Sequence, residues 1–314
     1  MRIPRTHPSN IHNEELASTH LGVDASGNRA AAYITPDHID PSLLVSVPRS
    51  WNRKQYSIVE GELPFVGYDV WNAYEFSTLT NSGFPISRQV KIMYRADSPC
   101  IVESKSLKLY LNSFNMVKMG SYPAEAAQEA LTAIRYDLRK LLGPTVDVDM
   151  FDAEDEEVLP IDQTRFDALD LLNTTNIEFV YNEDPTLLEA SGTLSLALSA
   201  HTSALRSNCK VTHQPDWGDV FIYMRGDALP SEMSLLQYIV SLRNENHFHE
   251  EICECIYKRL FDRFKPQELM VVCLYTRRGG IDINPVRASS ESLMRVFVST
   301  LIDVRQCVKK TWRQ

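Results

Sequence analysis

The chain has 314 residues, 44% hydrophobic and 23% charged, with a formal net charge of −9 at pH 7. This is the composition of a globular protein with ample core, as one large domain or two ordinary ones. The negative charge argues against direct nucleic-acid binding, and no apolar run has the length of a membrane helix. Cys100, Cys209, Cys253, Cys255, Cys273 and Cys307 show no disulfide-framework spacing, which points to a reducing, cytoplasmic setting. The Met1–His7 terminus carries no apolar run after its positive charges, so no signal peptide is expected.

Residues 1 to 66, rich in Pro, Ser and Asn, read as an arm ahead of the first folded unit. Ile92, Tyr94 and Ala96 alternate as on a strand, and Leu107, Tyr110, Leu111 and Phe114 form a helical stripe. A second helix is predicted from Pro123 to Gly143, with Ala127, Leu131, Ile134, Leu138 and Leu141 inward. Val146–Phe151 reads as a strand, the acidic run Asp147–Glu157 ends in a solvated loop, and Ile177–Tyr181 reads as a further strand.

A shift of 128 residues repeats this pattern. Val220, Ile222 and Met224 take the strand positions, and Leu235, Tyr238, Ile239 and Leu242 take the helical stripe. A second helix then runs from about Phe248 to Pro266, with strands at Leu269–Thr276 and Ile281–Asn284. The expected architecture is α+β: two tandem units, 67–184 and 185–314, each an antiparallel sheet with helices on one face. The halves are not equivalent, because Cys209 maps onto Asn81, Asp216 onto Arg88 and Glu103 onto Ser231. Such asymmetry predicts one complete site per chain, with function divided between the halves.

Cys209 precedes Asp216 on one short segment punctuated by Pro215 and Gly218, so a thiol and a carboxyl can face one small ligand. Taken alone, Cys209 reads equally as a buried structural cysteine. Lys105 and Lys108, three residues apart, share a helical face and can meet phosphates, although such a pair on an exposed face is more often solvated. No G-x-G-x-x-G follows a strand, so a Rossmann site has no support.

Four runs together resemble the NADPH-dependent 7-cyano-7-deazaguanine reductases, the nitrile reductases of queuosine biosynthesis in tRNA modification. They are Glu103-Ser104-Lys105-Ser106-Leu107-Lys108-Leu109-Tyr110, the Ser207–Gly218 loop, Phe248-His249-Glu250 and Arg277–Pro285. The resemblance spans roughly residues 30 to 287 and implies the tunnelling fold (T-fold), NADPH as cofactor, a deazapurine substrate and a homodimer or larger homo-oligomer. It implies that Cys209 adds to the nitrile as a thioimide, that Asp216 is the proton donor if its site keeps it protonated, and that His249 lies by the reacting group. It places Glu103, Glu250 and Phe248 at the heterocycle, and Ser104, Lys105, Ser106, Lys108, Arg278 and Gly279, with Arg277 a weaker addition, at the cofactor; no metal is implied. Lys210 and His213 depart from the family's usual loop, and Lys210 is expected to favour the thiolate. The tail after Ala288 resembles nothing in the family and is assigned no role.

Two other readings stay open. His249, Cys253 and Cys209 could hold zinc, as in a pterin-forming cyclohydrolase of the same fold. A nitrile-binding, amidine-forming relative would stop at the thioimide, although the Lys105/Lys108 motif argues against it.

Overall fold

A computed structural model describes residues 36–192 and 196–311; the expectations for Met1–His7 and the first half of the arm lie outside the described residues. In chain order the first half holds β1 (Ser46–Pro48), α1 (Ser50–Arg53), β2 (Val66–Leu79), β3 (Pro85–Arg95), β4 (Cys100–Val102), α2 (Ser104–Asn112), α3 (Pro123–Leu142) and β5 (Asp147–Phe151). Short strands β6 (Glu157–Val158) and β7 (Asp167–Ala168) lead into β8 (Ala197–Thr202), β9 (Arg206–Cys209), β10 (Pro215–Arg225) and α4 (Glu232–Ser241). The chain ends with β11 (Asn246–His247), α5 (His249–Phe264), β12 (Glu268–Tyr275), β13 (Ile281–Ala288), α6 (Glu291–Val298) and β14 (Cys307–Val308).

One mixed but mainly antiparallel sheet runs through both halves in the order β11-β9-β10-β12-β13-β2-β3-β5, with β8 also on β10 and β7 on β8. The halves join at β13 and β2, antiparallel from Ile281 opposite Ala73 to Ala288 opposite Val66. Period-two alternation decides which side chains meet which helices. Trp71, Ala73, Val90, Ile92 and Tyr94 pack against α2 and α3, while Val220, Ile222, Val271 and Tyr275 pack against α4 and α5. Both helical stripes read from sequence are buried.

Three expectations need correction. Helices do not lie on one face only: α6 covers the opposite face, where Leu293, Met294 and Val298 pack on Val70, Phe221, Met270, Val272 and Val286. β12 and β13 are accordingly buried on both sides, as the near-unbroken apolar run of β12 requires. Ile177–Tyr181 is no strand; it follows a turn with Asn176 at φ 67 and joins no ladder among the described residues. In α3 the buried stripe is rotated, with Ala126, Ala130 and Leu142 buried and Ala127 and Leu141 only partly so. The acidic residues from Asp152 to Glu157 are exposed, as expected of a solvated loop.

Besides the packing of α6 and the pairing of β14 with β6, a buried lysine ties down the tail. The Lys91 ammonium, on β3, donates to the carbonyls of Thr300 (3.3 Å), Asp303 (2.8 Å) and Gln306 (3.0 Å). Replacing Lys91 with Met leaves these carbonyls without their donor and should destabilise the fold by roughly 1–3 kcal/mol. Urea unfolding measures this; an unchanged midpoint would show that the tail does not depend on Lys91.

Candidate active site

A cavity of ≈ 250 Å³ lies on the helix-bearing side of the seam between the halves, with Trp71, Val102, Ile281 and Ile283 as its apolar lining. The start of α2 supplies Ser104, Lys105 and Lys108, and the β9–β10 hairpin supplies Cys209 and Asp216. His247, Phe248, His249 and Glu250 come from the start of α5, and Arg278 and Gly279 from the β12–β13 loop. Residues from both halves therefore meet in one place, while Glu103 and Ser106 stand outside the lining. The Glu103 carboxylate caps α2, accepting from the N–H groups of Lys105 (3.1 Å) and Ser106 (2.7 Å). Ser106 is also committed, donating to the Glu103 carbonyl (2.7 Å) and accepting from Val45 N–H (3.1 Å).

The reactive hairpin is tightly closed. Cys209 N–H donates to the Gln214 carbonyl (2.8 Å), and His213 N–H donates to the Cys209 carbonyl (2.9 Å). His213 sits at φ 57, a left-handed conformation that disfavours β-branched and bulky residues. One guanidinium braces the two ends of the loop: Arg278 donates to Asp216 Oδ1 (2.6 Å) and to Thr212 Oγ1 (2.8 Å). The other Asp216 oxygen lies 3.3 Å from His249 Nε2, and the His249 ring stacks on Tyr275 with centroids 3.8 Å apart.

These contacts set the charge states. Burial raises the Cys209 pKa, but hydrogen bonds from the Thr212 hydroxyl and the Thr212 and Val211 backbone, with Arg278 nearby, bring it below the ordinary 9.0. Burial likewise opposes ionisation of Asp216, yet His249 and Arg278 outweigh it and hold the carboxyl below its usual range. These partners favour the carboxylate form of Asp216 in the free protein, whereas a role as proton donor needs the protonated form. The Lys210 ammonium pairs with Glu251 (2.9 Å) and lies over the Phe248 ring, and the groups that lower the Cys209 pKa are Thr212, Val211 and Arg278. By contrast, burial pushes Cys255 up to about 12 and raises Cys253 well above 9.0.

Three residues of the lining carry buried polar atoms with no protein partner: Glu250 Oε1, His249 Nδ1 and Trp71 Nε1. Glu250 is 2% exposed. Its pKa is pushed up to about 8, first by burial and then by Asp69, against its own backbone N–H, Arg49 and Arg287. Beneath it lies an ion network that sequence reading missed. Arg287 donates to Asp69 (2.8 Å) and Glu254 (2.9 Å), Arg53 to Glu254 (2.7 Å), and Arg49 to Asp69. Asp69 stands between Tyr68 and Val70, and Arg287 between Val286 and Ala288; a charge among such neighbours, once buried, requires a buried partner, and that was the available signal.

At the cavity mouth Lys105 is exposed, and Lys108 lies 3.6 Å from Glu75. The Arg278–Gly279–Gly280 turn approaches α2 so closely that a Cβ on Gly279 would come within 3.1 Å of Lys108 Nζ. Gly279 and Gly280 have φ 63 and 78, so the turn needs glycine for its backbone as well as for space. Two lysines and an arginine beside a side-chain-free turn suit the phosphates of a dinucleotide. The zinc set is not assembled: Cys253 donates into the core, to the carbonyls of Val271 (3.5 Å) and Pro285 (3.6 Å). Among the described residues no three His, Cys, Asp or Glu side chains gather as a metal site.

A thiol of lowered pKa and an ion-paired carboxylate in one pocket with lysines and an arginine are groups with which a protein can act chemically on a small molecule. Residues 35–150 match the family model described as "Nitrile reductase, 7-cyano-7-deazaguanine-reductase N-term", and residues 215–293 match one described as "QueF-like protein". A curated relative from Cupriavidus metallidurans, named NADPH-dependent 7-cyano-7-deazaguanine reductase, is 41% identical over 268 residues, covering 83% of this chain and 91% of its own. Another of the same name from Chromohalobacter salexigens is 38% identical over 263 residues, covering 83% of this chain and 90% of its own. A solved archaeosine synthase QueF-Like in the apo form aligns with 31% of this chain and 95% of its own, at TM-score 0.27 and 15% identity, too distant to carry an argument. The chain belongs to the NADPH-dependent 7-cyano-7-deazaguanine reductase family.

The thiol contrast is directly testable. Iodoacetamide at a pH below 9.0 should modify Cys209 and leave Cys253 and Cys255 untouched, as read by peptide mass spectrometry. Arg278→Met should move the pH midpoint of that reaction upward. Equal labelling of Cys253 would contradict the assigned charge states.

Proposed function

We propose that this protein reduces the nitrile of 7-cyano-7-deazaguanine to 7-aminomethyl-7-deazaguanine, a precursor step to queuosine in tRNA, with two NADPH per turnover and a thioimide on Cys209. The carrying observation is that Cys209 and Asp216 line the same cavity as Lys105 and Lys108, with Arg278 of the same lining bonded to Asp216. On this reading residues 67–184 and 185–314 are tandem T-fold units and 1–66 an arm. The enzyme is a cytoplasmic homo-oligomer that acts on the free base without gripping nucleic acid. No helix among the described residues is long and apolar enough to cross a membrane.

A nitrile carbon is a weak electrophile. Sulfur addition opens one C–N π bond, and the nitrogen must gain a proton as it does so. Ionised Asp216 is suited to take the thiol proton of Cys209 and return it to that nitrogen, acting as base first and acid second. The balance is closed: one S–H bond and one π bond are lost, one C–S and one N–H bond are gained. NADPH, when bound, supplies the two hydrides that carry the carbon from thioimide to imine and from imine to amine. Lys105, Lys108, Arg278 and Gly279, with the Ser104 hydroxyl, would hold its phosphates. Each reduction also consumes one proton, and His249, on the second Asp216 oxygen, is placed to resupply it. Cys209 leaves as thiol once the carbon is reduced. Glu250 accepts from the N–H groups of the heterocycle, and Phe248 packs beside its plane.

Without NADPH the thioimide should accumulate. Mass spectrometry of the intact protein should show one substrate mass per chain, mapped to Cys209 and absent in Cys209→Ala. Asp216→Asn should form it slowly, because an amide cannot shuttle the proton. An adduct on Cys253 or Cys255, or full turnover by Cys209→Ala, would overturn the mechanism.

A further inference from the structure

Glu250 stands as a wall between two cavities. On one side is the ≈ 250 Å³ pocket, and on the other a closed space of ≈ 10 Å³ lined by Pro48, Arg49, Asn52, Ile101, Glu251 and Glu254. The smaller one has the volume of a single water, roughly 10–15 Å³ on the same measure. Two of the residues around it, Asn52 and Glu250, each carry a buried polar atom without a protein partner: the donor Asn52 Nδ2 and the carboxyl oxygen Glu250 Oε1. Asn52 is 3% exposed, and its other amide atom is occupied, since Oδ1 accepts from Gln55 Nε2. Each orphan would carry a desolvation penalty, so one shared water relieves both.

We propose that Asn52, in the segment ahead of the first unit, is a positioning residue for Glu250, acting through one buried water that donates to the carboxyl and accepts from the Asn52 amide. The proposal rests on Glu250 being the group that meets the heterocycle. That segment also reaches the cofactor side: β1 pairs with β4, and the Val45 carbonyl accepts from Glu103 N–H (2.8 Å) at the start of α2. It therefore braces both ends of the pocket.

The charges around Glu250 determine the direction of the effect. Asp69 from β2, the Tyr94 hydroxyl from β3, Arg287 from β13, Arg49 beside α1, and Glu251 and Glu254 on its own helix all face it, with His249 next to it at the pocket. Burial and Asp69 hold its pKa up to about 8, so the carboxylate form is favoured only as pH rises toward that value. A water donating to Oε1 favours that form, and its loss should move the Glu250 titration higher.

A high-resolution crystal structure of the free protein should show one ordered water within hydrogen-bond reach of Asn52 Nδ2 and Glu250 Oε1. Direct contact of the two side chains, or no density between them, would overturn the proposal. Asn52→Leu keeps the volume and removes the donor. It should raise KM for the nitrile substrate by roughly tenfold, leave kcat and the KM for NADPH unchanged, and raise the Glu250 midpoint read by carboxyl ¹³C NMR. Asn52→Ser, which retains a donor, should recover most of the KM. A uniform loss in kcat and both KM values would instead mark Asn52 as merely structural and sink the idea. If the wild type fails to reduce the nitrile, the functional reading falls, while the water and the NMR titration still decide this proposal.

Discussion

The site depends on the buried network of Arg49, Arg53, Arg287, Asp69 and Glu254 under the seam. Each of these side chains is at most 5% exposed. They come from the N-terminal segment, the first half and the second half, so the network ties three parts of the chain at one point. Such networks add little net stability over a well-packed apolar core, but removing one partner costs about 3–5 kcal/mol by stranding a buried charge. They therefore fix geometry more than they add stability. Glu254 lies one turn beyond Glu250 on α5, and its bonds to Arg53 and Arg287 set the depth and rotation of that helix start. His249 and Glu250 face the pocket as a consequence.

Another arginine, outside that network, plays the corresponding role at the reactive end. Arg278 bonds Thr212 in the turn and Asp216 on β10, and adds to the lowering of both pKa values after Thr212 at Cys209 and His249 at Asp216. The same turn brings Gly279 against Lys108 of the other half. The first half carries the lysine-bearing helix and the second the thiol loop, and the β2–β13 pairing puts them at one cavity.

What the sequence revealed was local. The helical stripes, the Pro123 and Gly143 boundaries, the spacing of Cys209 and Asp216 and the adjacency of His249 and Glu250 all lie within short windows, where periodicity and turn chemistry act. Properties set by distant partners were not legible. The protonation of Asp216 depends on Arg278, 62 positions away, and Lys210 is diverted by Glu251, 41 positions away. The side of the sheet that α6 covers was hidden too, because unbroken apolar strands say that both faces are buried without saying by what. Ile177–Tyr181 had the alternation of a strand and lacked a neighbour to pair with, a condition no single segment can state.

Hydride delivery to the nitrile is the central claim, and its stoichiometry tests it most directly. With 7-cyano-7-deazaguanine limiting and NADPH in excess, loss of the nicotinamide absorbance counts the hydrides transferred, while chromatography follows the base. The predicted result is two NADPH oxidised for each nitrile consumed, with 7-aminomethyl-7-deazaguanine as the product. Consumption of the nitrile without NADPH oxidation, or no consumption at all, would contradict it.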